Sequence, residues 1–153
     1  MSIYLQIPNL LGDSSSRAYP YQFELGSISW NGTITAQING RGQSTLSAVS
    51  VSKLATIHSP TFMFFMASQK NIGTIVITLT RLGDNSEIPV EVYTLENAVL
   101  TNFSQTADSG TQPIEFLGFI FSRVTFTQFA YNSRDEKTSE DSHFWNVRAN
   151  NGS

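Results

Sequence analysis

At 153 residues, 40% of them hydrophobic, the chain is long enough to bury the core of one domain and too apolar to be disordered throughout. Charged residues make up only 14% and the formal net charge is -3, which argues against a nucleic-acid partner, because that binding draws its affinity from clustered Lys and Arg. The absence of Cys excludes disulfides, thiolate nucleophiles and Cys-ligated metals.

Ile3, Leu5 and Ile7 alternate with Tyr4 and Gln6 as far as Pro8, the period of a strand with one buried face. No basic segment followed by a long apolar stretch opens the chain. The longest apolar run, Phe62 to Ala67, is far short of the roughly 20 residues that span a bilayer. Synthesis in the cytoplasm without a signal peptide, and no membrane insertion, is the expectation. Gly12 to Arg17 reads as a polar loop and Tyr21 to Trp30 as a second strand. In that strand Leu25, Ile28 and Trp30 are expected to face the core, Ser27, Ser29 and Asn31 to face away, and Gly26 to mark a bulge.

Asn31-Gly32 predicts a tight turn into a partner strand, where Ile34, Ala36 and Ile38 alternate with Thr33, Thr35 and Gln37. Asn39, Gly40, Arg41, Gly42 and Gln43 form an exposed loop before a strand from Ser44 to Val51. The Gly-x-Gly in that loop lacks the rest of a phosphate-binding fingerprint. Ser59-Pro60 predicts a helix start, Ser59 as cap and Pro60 at the first helical position. The helix should cover about residues 59–70, with Phe62, Phe65 and Met66 on its core face and Gly73 beyond its end.

Ile75, Ile77 and Leu79 alternate with Val76, Thr78 and Thr80, and Gly83-Asp84-Asn85 turns the chain into Ile88, Val90 and Val92, a hairpin. The pattern continues to Phe103, and Ser104 to Pro113 is a polar loop. Ile114 to Phe121 is almost wholly apolar, which predicts burial on both faces. Arg123 to Tyr131 returns to alternation; Asn132 to Ser142 reads as a charged, solvated loop, Phe144 to Val147 as a last short strand, and Ala149 to Ser153 as a frayed end. Eight or nine strands and one helix over residues 1–153 predict a single mainly β domain, a compact barrel or two-sheet sandwich.

The chemistry-bearing residues are sparse. His58 and His143 lie far apart with no metal-ligand spacing, and no G-x-S-x-G elbow occurs. No catalytic, cofactor-binding or metal residue is assigned, no cofactor is expected, and the chain is not expected to be an enzyme. Asn31-Gly32-Thr33, Asn102-Phe103-Ser104 and Asn151-Gly152-Ser153 match the glycosylation triplet and are read as chance matches.

From about Ile3 to Arg148 the order of segments resembles the hemolysin-coregulated protein (Hcp) family, the tube protein of bacterial type VI secretion. The likeness is carried by IYLQI, GDSSSR, ELGSISWNG, SVSKLATIHSPTFMFFMASQ, TIVITLTRLGD with VEVYTLENAVLTNFS, and FIFSRVTFTQFAY followed by FWNVR. The resemblance implies a β-barrel-like fold that assembles as a homo-hexameric ring. Rings would stack into a tube that works with spike and sheath proteins, carries secreted effectors and is itself secreted by the apparatus. It also implies that Ser27, Ser29 and Asn31 line the channel and that Asn39, Gly40, Arg41, Gly42 and Gln43 contact another ring or subunit. Two other readings stand beside it: a tail-tube subunit of a phage-like contractile particle, and a free-standing carbohydrate-binding sandwich using Tyr19, Tyr21 and Tyr131 as stacking platforms.

Overall fold

The computed structural model describes residues 1–35 and 42–153. In chain order the elements are β1 (Ser2–Gln6), β2 (Phe23–Leu25), β3 (Ser27–Ser29), β4 (Gly32–Ile34), β5 (Ser44–Leu46), β6 (Val49–Leu54), α1 (Ser59–Ser68), β7 (Asn71–Leu82), β8 (Glu87–Thr106), β9 (Ile114–Ile120), β10 (Arg123–Tyr131), β11 (Lys137–Asn146) and β12 (Asn151–Gly152). The fold is mainly β with one helix, as predicted. The strand count is higher than the sequence suggests because several predicted strands bend and change partners.

Strand β8 is the spine. Its first half is flanked by β7, which leads to β1 and β2, and by β10, which leads to β11 and β12. Beyond Val99 it pairs with β9, and β9 leads to β6 and β3. The far ends of these two branches, β2 and β3, adjoin across Gly26, whose amide donates to the Ser52 carbonyl at 2.7 Å. The sheet therefore curls back on itself around one core. Phe23, Phe62, Phe119, Leu5, Ile75, Ile77, Leu95 and Leu100 are fully buried there, with the Phe23 and Phe62 rings edge to face at 5.2 Å.

Among these apolar side chains lies an ion pair. Lys53 on β6 and Glu115 on β9 are direct cross-strand partners, 3% and 0% exposed, with Nζ 2.9 Å from Oε2. Lys53 also donates to the Leu54 carbonyl at 2.8 Å, and its ammonium lies 5.2 Å from the centroid of the Phe62 ring. Gln105 on β8 donates to the other oxygen of Glu115 at 3.4 Å. Both charges thus have partners, which burial at this depth requires.

A second polar hub fixes the predicted polar loop. Glu87, at the start of β8, accepts from Tyr4 at 2.7 Å, Ser16 at 2.9 Å and Thr80 at 2.9 Å, while Tyr19 stacks on Tyr4 at 4.9 Å. Burial pushes the Glu87 carboxyl up, but the three hydroxyl donors outweigh it and hold the group below its ordinary value.

The structure corrects several expectations. Tyr21 to Trp30 is not one strand: the chain changes pairing partner at Gly26. Trp30 is 41% exposed, because it lies past the end of β3 and meets Tyr93 and Phe126 only edge-on. No turn occurs at Asn31-Gly32. The chain runs on into β4, whose partner is β5; Ala36 and Ile38 lie outside the described residues. The strand predicted from Ser44 to Val51 is interrupted at Ser47 and Ala48, where the Ser47 amide and hydroxyl hold the Asn31 backbone.

The helix cap is His58, since the Ser59 hydroxyl is spent on the Thr56 carbonyl at 2.8 Å. The helix closes through Gln69 in the left-handed region, and Gly73 falls at an irregularity inside β7. In β9 only one face is buried: Ile114, Phe116 and Ile120 are 44%, 45% and 48% exposed. Most of the predicted charged loop is strand β11, paired with β10 and exposed. The end is not frayed, for Ser153 exchanges backbone hydrogen bonds with Phe144 at 2.8 and 3.1 Å.

Removing one partner of the buried pair should be severe. Glu115→Ala is expected to lower the free energy of unfolding in urea by about 3–5 kcal/mol, and Lys53→Met with Glu115→Leu to recover most of the loss. The Glu87 hub has an acid signature. With its folded pKa depressed, its contribution is fully present above the ordinary glutamate range and is lost as the pH falls through the depressed value. Glu87→Gln should therefore flatten the acid limb of a plot of stability against pH, and an unchanged limb would contradict this role.

Candidate functional site

The second branch of the sheet has two chemically different faces. Its register aligns side chains in rows across β3, β6, β9 and the second half of β8. Ser27, Ser52, Phe116 and Ser104 form one row, Ser29, Ser50, Gly118 and Asn102 the next, and Leu54, Ile114 and Thr106 a third. Intervening rows, such as Ile28, Val51, Leu117 and Phe103, turn the other way, toward the core, as strand alternation demands. Lys53 and Glu115 belong to the buried rows. They are the only charged residues in these segments, so the outward rows carry no charge.

Ser27 and Ser29 are therefore exposed on this face, and Ser27 shares a hydroxyl contact of 2.7 Å with Ser52. Asn31 is also exposed, but it sits beyond β3, tied through its amide to the Ser47 hydroxyl at 2.8 Å. The structure thus brings Ser27 and Ser29 together and sets Asn31 at the entry to the β4–β5 ribbon. Gln43 lies in that ribbon and accepts from the Thr35 amide at 3.0 Å; a Cβ at Gly42 would collide with the Thr35 carbonyl. Asn39, Gly40 and Arg41 lie outside the described residues. The sequence reading missed Ser50, Asn102, Ser104 and Phe116; the available signals were Ser50 alternating with Val49 and Val51, and Asn102 and Ser104 on either side of Phe103.

The same four-stranded branch ends in open backbone on both sides. Pairing of β7 with β8 stops at Val99, so from Leu100 to Thr106 the only strand beside β8 among the described residues is β9. Helix α1 packs against β8 without pairing to it. At the other end, among the described residues, β3 pairs only with β6. Unpaired edges of this kind are templates for another strand.

The other predicted chemistry is dispersed. His58 sets its ring edge on Phe23 at 5.6 Å, and His143 lies 3.1 Å from Asp141 at the surface. Among the described residues no group of three His, Cys, Asp or Glu side chains could hold a metal ion. Tyr19 is stacked on Tyr4 and Tyr131 donates to the Pro89 carbonyl at 2.6 Å, while Tyr21 is exposed. An apolar cleft of about 330 Å³ opens between the ribbon and the outer strands, lined by Trp30, Leu46, Tyr93, Val124, Phe126 and Trp145 among others. No helix among the described residues is long and apolar enough to cross a membrane.

Comparison with known proteins adds a family. Residues 4–128 match the family model described as type VI secretion system effector, Hcp. No curated protein matches the chain. Among solved structures, one described as a type six secretion system protein superposes with a TM-score of 0.91 at 13% identity, covering 99% of each chain. Hcp1 from Salmonella typhimurium gives 0.80 at 18% identity, with 99% of this chain and 97% of that one covered. A type VI secretion system effector from Yersinia pestis gives 0.75 at 14% identity, covering 95% and 99%.

Proposed function

The chain belongs to the Hcp family of type VI secretion proteins, and on that premise we propose that its 153 residues form one tube domain whose copies close into hexameric rings. The observation that carries this reading is the pair of open strand edges, β8 beyond Val99 and β3, at opposite ends of one four-stranded segment. Joining the edge of one copy to the different edge of the next is a heterologous contact. Repeated, such contacts either close into a ring or run on as a filament. Main-chain hydrogen bonds would supply the joint, as in strand addition generally.

A sheet continued from copy to copy around a ring must turn one of its faces to the hole. One face of this segment is core, so the uncharged outward rows with Ser27 and Ser29 would line the channel, with Asn31 at its margin. A wall without charge holds no fixed partner for a passing charged surface, which suits a conduit for varied proteins. In the same reading Asn39, Gly40, Arg41, Gly42 and Gln43 meet the next ring. Sheath and spike proteins act on the stacked tube, and effectors travel in it. The protein is made in the cytoplasm and leaves through the apparatus.

The native chain has no Cys, which makes cross-linking unambiguous. Ser29→Cys combined with Asn102→Cys, treated with a short bismaleimide, should give a ladder of linked copies ending at six, and the unmodified protein should have the solution mass of six copies. A single-copy mass at high concentration, or a ladder ending at two, would overturn the ring.

A further inference from the structure

The apolar cleft of about 330 Å³ lies apart from the outward serine rows, and its floor of Val49 and Tyr93 belongs to the buried core. One wall is a patch of the β8–β10–β11 sheet. Its register sets Tyr93 opposite Phe126 and Phe126 opposite His143, with Val124 opposite Trp145 two residues along, so these side chains share a face. The other wall is the β4–β5 ribbon, a separate two-stranded sheet that turns Ser44 and Leu46 toward the cleft and leaves Thr45 in solvent. The Ser44 amide ties the ribbon across to the outer strands, donating to Asn150 Oδ1 at 3.3 Å between β11 and β12. Trp30 stands at the root of the ribbon, its ring edge-on to both Tyr93 and Phe126 at 6.2 Å.

The chemistry of the walls selects the occupant. Among the described residues, none that lines the cleft is Asp, Glu, Lys or Arg, and the charges beside them are engaged. Glu91 accepts from the Tyr93 hydroxyl at 3.0 Å, Arg123 lies 3.2 Å from Glu96, and Asp141 lies 3.1 Å from His143. An ionised ligand would give up its water here for no counter-charge, whereas a flat, uncharged one gains burial and ring contacts. The volume stands at the lower end of the range of about 300–1,000 Å³ found for small-molecule sites, and a cleft tied across at Asn150 suits a short molecule better than a through-running chain. We propose that this cleft is a binding site for a small, uncharged aromatic compound of bicyclic size, held between the ribbon and the outer strands. The site does not depend on the ring reading.

The probe is the neutral dye N-phenyl-1-naphthylamine, compared with 8-anilino-1-naphthalenesulfonate, which adds an anionic group to the same ring skeleton. Titrations are run at about pH 8, where an ordinary imidazole is neutral. Both tryptophans of the chain, Trp30 and Trp145, line the cleft, so dye bound there quenches their emission and is lit by energy transfer from them. Wild type should bind the neutral dye saturably with that signature, and the anionic dye about tenfold more weakly or not at all. Ser44→Phe, which fills the cleft from the ribbon, should abolish binding, and Leu46→Ala, which removes contacts without adding bulk, should weaken it about tenfold. Phe116→Thr, on the outward face, should leave it unchanged. No binding of the neutral dye to the assembled wild type, the result expected if a neighbouring copy's side chain fills the cleft, would overturn the site. So would equal binding of the two dyes, binding unaltered in both cleft variants, or binding lost in Phe116→Thr.

Discussion

Lysine 53 and glutamate 115, turned inward opposite each other across β6 and β9, set the character of everything outside them. A buried ion pair is poor at adding stability, because desolvating two charges offsets most of their attraction. What it does well is reject alternatives. Slipping β6 by one residue against β9 would carry Lys53 to the outward face and leave Glu115 alone among Phe and Leu side chains, a cost no other contact repays. The pair therefore fixes the register that points Ser50 and Ser52 outward and Val49 and Val51 inward, and it keeps the only two charges of the segment off the surface.

The remaining architecture builds outward from that register. Gly26 lets one stretch of chain serve both branches, with its amide on Ser52 beside the pair. Phe62 of α1 packs on Phe23 and under the Lys53 ammonium, so the helix that follows β6 is anchored to the same point. Glu87 separately gathers three hydroxyls from β1, β7 and the first loop. The core and two polar hubs thus fix how the strands are arranged. The segment from β3 to the second half of β8 is left with an uncharged face and two open edges, features that make sense for a subunit and are liabilities for a solitary molecule.

Much of this was legible in the chain. Alternation placed Leu5, Ile75 and Ile77 in the core, Gly26 at the irregularity, and Phe62 and Phe65 on the buried side of a helix starting at Ser59, because periodicity reports directly which face meets water. Trp30 was misjudged because alternation assumes a continuous strand with a sheet behind it, and the chain leaves that sheet at Ser29. The run from Ile114 to Phe121 hid its exposed face for a related reason: apolar side chains left exposed on a strand look the same in sequence as those that meet the core. Lys137 to Ser142 read as a loop because charge marks exposure, and an outer strand can be as exposed as a loop. The Lys53–Glu115 contact had no sequence signal, since the partners are far apart in the chain and meet only through the register of β6 on β9.

The account stands or falls on which way the serine rows face in an assembled particle. Negative-stain electron microscopy of Ser29→Cys protein labelled with maleimide-gold tests this directly. Six-fold rings with gold confined to the central hole are the predicted result. Gold on the outer rim, or a field of isolated particles with no hole, would contradict it.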